Sequence, residues 1–522
     1  MKLMAKKVEN YENKIGRMIF TLILLCFSAF PENIAADLVI VNAKIHTMDK
    51  AVPQAEAIAI SGNKIFAVGT NKKIRALVGA NTKTIDAGGK LVLPGFNDAH
   101  VHFTGIGNQF SSIDLRDAKT PQEVVKRIKY YVQFLPKGRW ILGGAWNHEN
   151  WTPNALPSKE LIDSETPDNP VFIYHSNARM VLANSLALKL AGIDKNRKYV
   201  KDGPIARNEK GEPTGILKDS AIIIVRNIIP QLPIKNWSEV AETASNYAAS
   251  LGVTSVQDVH SDNLIEVYRE LFRQGKLKTR IYDCLPLSDW KKLAQAGIRR
   301  ANGDAMIRGG CLKHFSDGYY DEMPELYKDI LAADKADLQV MMHAIGGSAN
   351  DIVLTIFERV AKENGTKDRR FRVEHAHNFR PQDLRRFGAS KTIASMQPHL
   401  FFGGEPYRTL LDTGATLAFG SDASITDFNP LYGIYAAVNH GISEGGSSIS
   451  KQTISVEEAV RAYTVGSAYA EFQENVKGTL TVGKLADLVI LSDDIFTMNR
   501  NDIGKTRVLT TIVDGRVVFE SK

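Results

Sequence analysis

The feature that most constrains the fold is a series of seven short, strand-like apolar runs in the second half of the chain. Most of them are followed by a segment with helical character. They are Val253–Val259, Arg280–Leu285, Cys311–Ser316, Leu338–Ala344, Phe371–Ala376, Thr392–Gln397 and Thr416–Gly420. Strands that alternate with helices are typical of parallel sheets. Together with an earlier run that begins at Leu91, they make eight strands and predict an α/β protein built on a (β/α)8 barrel.

The run that begins at Leu91 is interrupted by Pro94-Gly95, resumes, and ends in two histidines one residue apart, His100 and His102. Because side chains alternate faces along a strand, these two imidazoles can point the same way. They could then bind one cation through their ring nitrogens. The spacing alone also fits two histidines at an ordinary strand end, so the pair needs further ligands to indicate a metal site.

The two ends of the chain are predicted to form one small β-sandwich. Short alternating runs such as Ala57–Ile60 follow residue 36, and runs of the same character return near the C-terminus, where Asp514-Gly515 is typical of a hairpin turn. The strand–helix rhythm also breaks after His102, which indicates an insertion over the barrel mouth. The expected domains are a leader (1–36), the first part of the sandwich (37–90), the barrel (91–475, with the insertion at about 104–230) and the second part of the sandwich (476–522).

The first 36 residues have the layout of a secretory signal peptide. A basic segment up to Arg17 precedes the apolar run Met18–Phe30, and the small residues Ala35-Ala36 follow as a cleavage site. The apolar run is short for a membrane span. We therefore expect a secreted or periplasmic protein without a stable membrane anchor, the alternative being an uncleaved N-terminal anchor. Cleavage would leave only Cys284 and Cys311, too few for a disulfide framework.

The charge of the chain gives little information about partners. A net charge of +7 from 65 basic and 58 acidic residues is mild for 522 residues. No basic run resembles a nucleic-acid-binding patch. We expect a small-molecule substrate and no nucleic acid, and the composition is compatible with a homo-oligomer.

Six polar residues fall in or directly after the predicted barrel strands. They are His100, His102, Lys313, His343, His375 and Asp422. In a (β/α)8 barrel the C-terminal ends of the strands converge on one site. Taken singly, each residue has an ordinary explanation: a histidine at a strand end is usually only hydrogen-bonded, and Ser421-Asp422 fits a helix cap. Six such residues at one end of the barrel predict a functional site.

Several longer motifs contain these residues. They are Pro94-Gly95-Phe96-Asn97-Asp98-Ala99-His100-Val101-His102, Lys313 to Gly318, His343-Ala344-Ile345-Gly346, Glu374-His375-Ala376, Ser395-Met396-Gln397-Pro398, Gly420-Ser421-Asp422, and Gly478-Thr479-Leu480 leading into Gly483-Lys484-Leu485-Ala486-Asp487. Together they resemble the metal-dependent amidohydrolase superfamily. The most similar branch holds the N-substituted formamide deformylases and the amidohydrolase 3 proteins. The resemblance covers essentially everything after Asp37.

The resemblance implies two divalent metal ions held by the six residues. The ligands would be His100, His102 and Asp422 for the more buried ion, His343 and His375 for the more exposed ion, and Lys313, carboxylated by carbon dioxide, as the bridge. Nitrogen and oxygen ligands of this kind suit zinc, and manganese, iron or cobalt fit almost as well.

The resemblance also implies a reaction, the cleavage of a carbon–nitrogen bond of the amide type other than a peptide bond. Two ions about 3.5–4 Å apart lower the pKa of a bridging water and polarise a carbonyl group. Asp422 would take a proton from that bridging water and deliver it to the leaving nitrogen. Asp422 and Lys313 are therefore the expected catalytic residues.

Three alternatives stay open. A metal-dependent deaminase would use the same barrel with one metal, but it usually needs a glutamate where this chain has Gly346. A non-catalytic binding or regulatory protein could also use this fold. Finally, Lys313 could be an unmodified lysine that pairs with Asp317 or Asp422, with one metal or none.

The chain departs from the family pattern at positions that are expected to line the substrate pocket. Gly347 stands where family members usually carry an aspartate. Ala145-Trp146-Asn147 replaces the usual Gly-Trp-Asp, and Arg179 stands at the position of a common histidine. Because of these differences, no substrate of a named member can be carried over to this chain.

Overall fold

The computed structural model describes residues 35–110, 112–176, 179–197, 204–230, 237–260, 264–314, 323–400, 405–439 and 451–521. The predicted leader lies almost entirely before these residues, so export from the cytoplasm stays a prediction. Asp317, one of the two alternative partners of Lys313, also lies outside the described residues. No helix among the described residues has both the length and the apolar character that a membrane span requires.

The strands, in chain order, are β1 (Leu38–Val41), β2 (Lys44–His46), β3 (Gln54–Ala55), β4 (Ala57–Ser61), β5 (Lys64–Gly69), β6 (Lys83–Asp86), β7 (Leu91–Pro94), β8 (Phe96–Val101), β9 (Ile113–Asp114), β10 (Gly143–Trp146), β11 (Phe172–His175), β12 (Met180–Ala183), β13 (Ile205–Arg207), β14 (Pro213–Lys218), β15 (Val253–Val259), β16 (Arg280–Pro286), β17 (Asn302–Gly303), β18 (Ile307–His314), β19 (Gln339–Ile345), β20 (Arg372–His377), β21 (Ile393–Met396), β22 (Leu417–Phe419), β23 (Leu488–Leu491), β24 (Val508–Val513) and β25 (Arg516–Glu520).

The α-helices are α1 (Asn71–Arg75), α2 (Phe103–Gln109), α3 (Pro121–Val132), α4 (Glu160–Asp163), α5 (Ser185–Leu190), α6 (Ile222–Arg226), α7 (Trp237–Ser250), α8 (Ile265–Arg273), α9 (Trp290–Gln295), α10 (Met323–Lys335), α11 (Gly347–Asn364), α12 (Leu384–Ser390), α13 (Tyr407–Asp412), α14 (Pro430–Val438), α15 (Val456–Arg461) and α16 (Ser467–Ala470). A π-helical turn, Ala462–Gly466, joins α15 to α16.

The largest sheet contains eight parallel strands in the order β8-β15-β16-β18-β19-β20-β21-β22, which confirms the predicted (β/α)8 barrel. All seven residues of β15 are buried, as expected for a parallel strand covered on both faces. Backbone hydrogen bonds close the ring beyond β22. The Asp422 N–H donates to the His100 carbonyl over 2.8 Å, and the His102 N–H donates to the Ala423 carbonyl over 2.5 Å.

The β domain predicted from the two chain ends consists of two further sheets. One contains only N-terminal strands, in the order β5-β4-β1-β6, and the other combines both ends in the order β25-β24-β23-β7-β2-β3. Alternation along β4 explains the packing, because Ile58 and Ile60 join a cluster with Leu488 and Ile512 of the second sheet. Ala57 and Ala59 pack instead with Ile74 of α1.

The predicted start of the barrel at Leu91 is too early. Leu91–Pro94 pairs with β23 and β2 in the sheet that the two chain ends share, and the first barrel strand is Phe96–Val101. The chain passes from one sheet to the other at Gly95, where a Cβ atom would overlap the side chain of Thr254 in β15. A buried ion pair ties the two domains together, since Arg280 at the start of β16 contacts Asp487 over 2.6 Å.

The insertion begins after β8, at the end of the barrel where the strand C-termini lie. It has its own mixed sheet in the order β13-β14-β12-β11-β10-β9 and its own buried cluster, which includes Trp146, Trp151 and Ile173. Phe110 packs against both this cluster and the barrel core, so the insertion is anchored to the barrel at the mouth side of β8.

Candidate metal centre

Three of the six predicted residues come together at the C-terminal ends of β8 and β22. The Nε2 atoms of His100 and His102 lie 3.5 Å and 3.3 Å from Oδ1 of Asp422. All three residues offer ligand atoms within 4.8 Å of one another. His100 and Asp422 are buried, and His102 is partly exposed. This trio is the set predicted for the more buried ion.

The local backbone explains why Asp422 reaches His100. Asp422 has a φ of 58°, a left-handed conformation that aspartate tolerates better than most residues. Before it, Gly420 leaves room for the neighbouring strand, because a Cβ there would overlap the backbone of His100. Asp98 joins the two strand ends by accepting hydrogen bonds over 3.0 Å from the backbone N–H groups of both His100 and Ser421. Burial raises the pKa of Asp98 to about 7.

His100, His102 and His375 each have an acceptor at Nδ1, and a histidine held in this way presents Nε2 to a metal. Nδ1 of His100 donates to Oε2 of Glu374 over 2.5 Å. Nδ1 of His102 donates to the carbonyl of Val259 over 2.7 Å. His375 uses Nδ1 in the same way, toward Oε1 of Gln397 over 2.8 Å.

The histidines predicted for the more exposed ion lie next to this trio. The ring centroids of His100 and His375 are 5.0 Å apart, and those of His375 and His343 are 4.4 Å apart. His375 points inward because the strand is irregular there: His375 and Ala376 have φ values of 69° and 46°, and the pairing with β19 shifts register between His343 and Ile345. Such a bulge re-aims a side chain.

Lys313 is buried in β18. Burial lowers its pKa to about 8, although the nearby carboxylates of Glu374 and Asp422 raise it. A pKa this low leaves about a tenth of the amine neutral at pH 7, far more than for an ordinary lysine. Carboxylation of Lys313 stays a prediction.

Burial and nearby charges shift the pKa values of the other site residues. Burial lowers the pKa of His375 to about 4 and that of His100 well below its usual value. Burial alone would raise the pKa of Asp422, but the contact with His102 and the other nearby imidazoles lower it below its ordinary value. His102 differs, because burial lowers its pKa but its contact with the Asp422 carboxylate raises it above the usual value overall. Metal is bound by neutral imidazoles beside an ionised carboxylate, so a cation at this site would compete with the proton of His102.

Two buried atoms of the trio support the same conclusion. Within the described part of the chain, Nε2 of His100 and Oδ1 of Asp422 have no hydrogen-bond partner. Buried acceptors are rarely left without one, and both atoms face the same point. The residues present therefore fit a divalent ion.

Sequence reasoning assigned no role to Asp98, Glu374 or Gln397. Asp98 could have been found, because it lies two residues before His100 on the same face of β8. Glu374 is adjacent to His375, and regular alternation would have placed the two on opposite faces. Only the bulge in β20 brings Glu374 and His375 inward together, and no local sequence pattern predicts that bulge.

The three positions that depart from the family pattern have different surroundings. Gly347 lies against Arg380, whose Cγ would be 2.7 Å from an added Cβ, and Arg380 contacts Asp351 over 2.9 Å. Trp146 is buried, with its ring N–H donating to the Ile173 carbonyl. Arg179 is largely exposed and contacts Asp219. Of these three, the structure therefore places only Trp146 in a hydrophobic core.

Comparison with known proteins agrees with this geometry. The model of a family described as the amidohydrolase family (Amidohydro_3) matches residues 83–519. Protein LONG AFTER FAR-RED 3 of Arabidopsis thaliana is 35% identical over 544 aligned residues, which cover 94% of this chain and 92% of that protein. N-substituted formamide deformylase of Arthrobacter pascens is 26% identical, with 93% of this chain and 98% of that protein covered.

A solved structure gives the same result. The crystal structure of an uncharacterised metal-dependent hydrolase from Pyrococcus furiosus superposes with a TM-score of 0.59 and 27% sequence identity. The match covers 88% of this chain and all of that one. The similarity therefore extends over the barrel and the β domain together.

Proposed function

Because the chain belongs to the amidohydrolase family, we propose that it is a metal-dependent hydrolase that cleaves a carbon–nitrogen bond, other than a peptide bond, in a small amide-type molecule. The predicted resemblance to the amidohydrolase 3 branch is confirmed by the family match and by the relatives. The observation that carries the proposal is the convergence of His100, His102 and Asp422, with ligand atoms within 4.8 Å of one another. One relative is named for its action on N-substituted formamides, which supports an amide-type substrate.

The trio would hold one divalent ion, and His343 and His375 would hold a second. When bound, such ions lower the pKa of a water ligand and polarise a carbonyl oxygen. Two imidazoles with a carboxylate suit zinc, and manganese, iron or cobalt could also bind.

Asp422 would transfer the proton in this reaction. It is ionised, buried and 3.3 Å from Nε2 of His102, and Asp98 and the His100 carbonyl hold its backbone region in place. Its carboxylate is positioned to accept the proton of the attacking water and to release it to the departing nitrogen. Transfer through a positioned group typically contributes ~10²–10⁴-fold to the rate.

We further propose that Lys313 is carboxylated. The neutral amine attacks the carbon of carbon dioxide, the new N–C bond forms as one C–O π bond breaks, and the nitrogen loses a proton, so that a lysine carbamate and one proton result. The pKa of about 8 that burial gives Lys313 favours this reaction. The product would replace a buried cation with a carboxylate next to the histidines.

The test is a hydrolysis screen of the metal-loaded protein against N-formyl, N-acyl, cyclic-amide and carbamate compounds. We expect turnover of at least one class, its loss on chelation, and its return with zinc. Asp422→Asn should reduce that turnover by ~10²–10⁴-fold while part of the metal is retained. Asp427→Asn is the matched control, because Asp427 is exposed in the same segment and the charge change is identical.

Near-normal turnover in Asp422→Asn with metal in place would contradict this mechanism. Full metal content without turnover of any class would favour a binding or regulatory protein. Release of ammonia from ring amines, with no amide hydrolysis, would favour the deaminase.

A further inference from the structure

Glu374 is a completely buried carboxylate directly behind the metal centre, and the reaction proposed above does not use it. Its two oxygens accept three hydrogen bonds. Oε2 accepts from Nδ1 of His100 over 2.5 Å and from the hydroxyl of Ser395 over 2.7 Å. Oε1 accepts from Nε of Arg372 over 2.8 Å.

Arg372, the cation that balances this carboxylate, is itself held on several sides. It is completely buried, and its Nη2 donates to the Ala99 carbonyl over 2.5 Å and to Ser395 Oγ over 3.1 Å. Its Nη1 donates to Oε1 of Gln257, whose amide donates in turn to the Ser467 carbonyl. The guanidinium therefore bridges β20, β15 and the backbone of β8, and Glu374 has little freedom to turn away from His100.

The acceptors behind His102 and His375 are uncharged. His102 faces the Val259 carbonyl and His375 faces the amide oxygen of Gln397, whereas His100 faces a carboxylate. A carboxylate is an acceptor only, so Nδ1 of His100 must carry the proton and Nε2 must be the lone-pair nitrogen. A charged acceptor also makes the ring a stronger metal ligand than a neutral one does.

We propose that Glu374 is a positioning residue that fixes the tautomer and orientation of His100 and strengthens Nε2 as a metal ligand, with Arg372 and Ser395 holding it in place. This inference rests on the proposed metal centre. It explains why a buried arginine–glutamate pair lies at this level of the barrel, where an apolar pair would cost less desolvation. Arg372 binds Oε1 of Glu374 and so directs the carboxylate at the ring.

The experiment compares Glu374→Gln with Glu471→Gln. Glu471 is also buried and paired with a buried arginine, Arg308, but it contacts Asn97 at the start of β8 and so lies at the opposite end of the barrel. Zinc affinity is measured by competition with a chelator, and the Co²⁺-loaded proteins are compared by their visible absorption spectra. Glu374→Gln should bind zinc ~10–100-fold more weakly and show an altered cobalt spectrum. Glu471→Gln should match the wild type in both.

If Glu374→Gln fails to fold, Ser395→Ala is the deciding variant, because it removes one donor to Oε2 and leaves the charge. It should show a smaller loss of affinity and a shifted cobalt spectrum. The inference would be overturned if the folded Glu374→Gln protein kept the wild-type zinc affinity and cobalt spectrum. If Glu374→Gln does not fold, the same result in Ser395→Ala would overturn it. Equal losses in Glu374→Gln and Glu471→Gln would overturn it too, since the effect would be structural. In these cases the proposed hydrolase would stand, whereas a wild-type chain that binds none of zinc, manganese, iron and cobalt would overturn both.

Discussion

The two ends of the barrel both hold buried charges, but the charges are arranged differently. At the N-terminal end, Glu471 contacts Arg308 and lies 2.7 Å from Nζ of Lys477. The amide of Asn97 donates to the same carboxylate over 2.6 Å, and Lys477 donates to the hydroxyl of Ser255. Each charged side chain in this cluster contacts a side chain of opposite charge within the same cluster.

At the C-terminal end, some ligand atoms of the buried polar side chains lie close together. Nε2 of His100 and Oδ1 of Asp422 are buried and, among the described residues, have no hydrogen-bond partner. A closed buried cluster serves the fold, whereas a buried cluster with converging acceptors is prepared for a cation. Burial and charge alone would not have distinguished the cluster at the N-terminal end from the cluster at the C-terminal end.

Two buried lysines, one at each end of the barrel, have different neighbours. Burial lowers the pKa of both Lys313 and Lys477 to about 8. Lys477 is ion-paired with Glu471, so its amine is engaged whatever its pKa. An equal pKa therefore does not predict equal chemistry.

The largest effect on metal binding is expected from His100→Ala, which removes a ligand at the C-terminal end. Zinc sites of four ligands contribute ~10–16 kcal/mol in total, so one ligand is worth about 3–4 kcal/mol, or about 10²–10³-fold in affinity. Chelator competition measures the zinc affinity, and we expect turnover to fall with it. The stability of the metal-free protein should change less. Zinc affinity equal to the wild type would contradict the assignment of His100 as a ligand.

The reverse pattern is expected for Lys477→Met at the N-terminal end. Removing one partner of a buried ion pair typically costs 3–5 kcal/mol, and the free energy of unfolding, from urea denaturation of the metal-free protein, should fall by about that amount. Zinc affinity of the folded variant should be unchanged. A large loss of affinity here would show that the two ends are coupled.

The third prediction concerns the pH dependence of Lys313 carboxylation. The pKa is about 8, below the usual lysine value, so the neutral, reactive amine is present above that pH and is lost as pH falls. About a tenth of the amine is neutral at pH 7 and about nine-tenths at pH 9. With ¹³C-labelled carbon dioxide at constant dissolved concentration, the ¹³C NMR carbamate signal of the metal-free protein should rise by up to about tenfold over this range.

Two variants decide which lysine carries that signal. Lys313→Met should abolish the signal that has this pH dependence, and Lys477→Met should keep it. If the carbamate signal survives in Lys313→Met and disappears in Lys477→Met, then Lys477 and not Lys313 is carboxylated, and the prediction is wrong.

The smallest effect is expected from Gln397→Leu, which removes the neutral acceptor behind His375. Outer-shell changes cost ~10–100-fold in metal affinity, and we expect a value near the lower limit because the lost partner is uncharged and His375 would serve the more exposed ion. Isothermal titration with zinc should show a weakened second binding event and an unchanged first one. Weakening of the first event alone would contradict the predicted division of ligands.

The sequence by itself determined which residues could form the site. Eight strand-like runs separated by helical segments predict the barrel, and the position of a residue at a strand end places it at the mouth without knowledge of any contact. Alternation predicted that His100 and His102 share a face, and both now lie within 3.5 Å of Asp422. These features depend only on local periodicity and on the geometry common to all such barrels.

Tertiary structure decided what depends on partners far apart in the chain. Leu91–Pro94 has the composition of a barrel strand, yet it pairs with Leu488–Leu491, because a strand's sequence does not specify which sheet it joins. The inward turn of His375 beside Glu374 needs left-handed φ values and a register shift against β19. That conformation is stabilised by the surrounding barrel rather than by the residues that adopt it, and so only the folded chain shows that Glu374 lies behind His100.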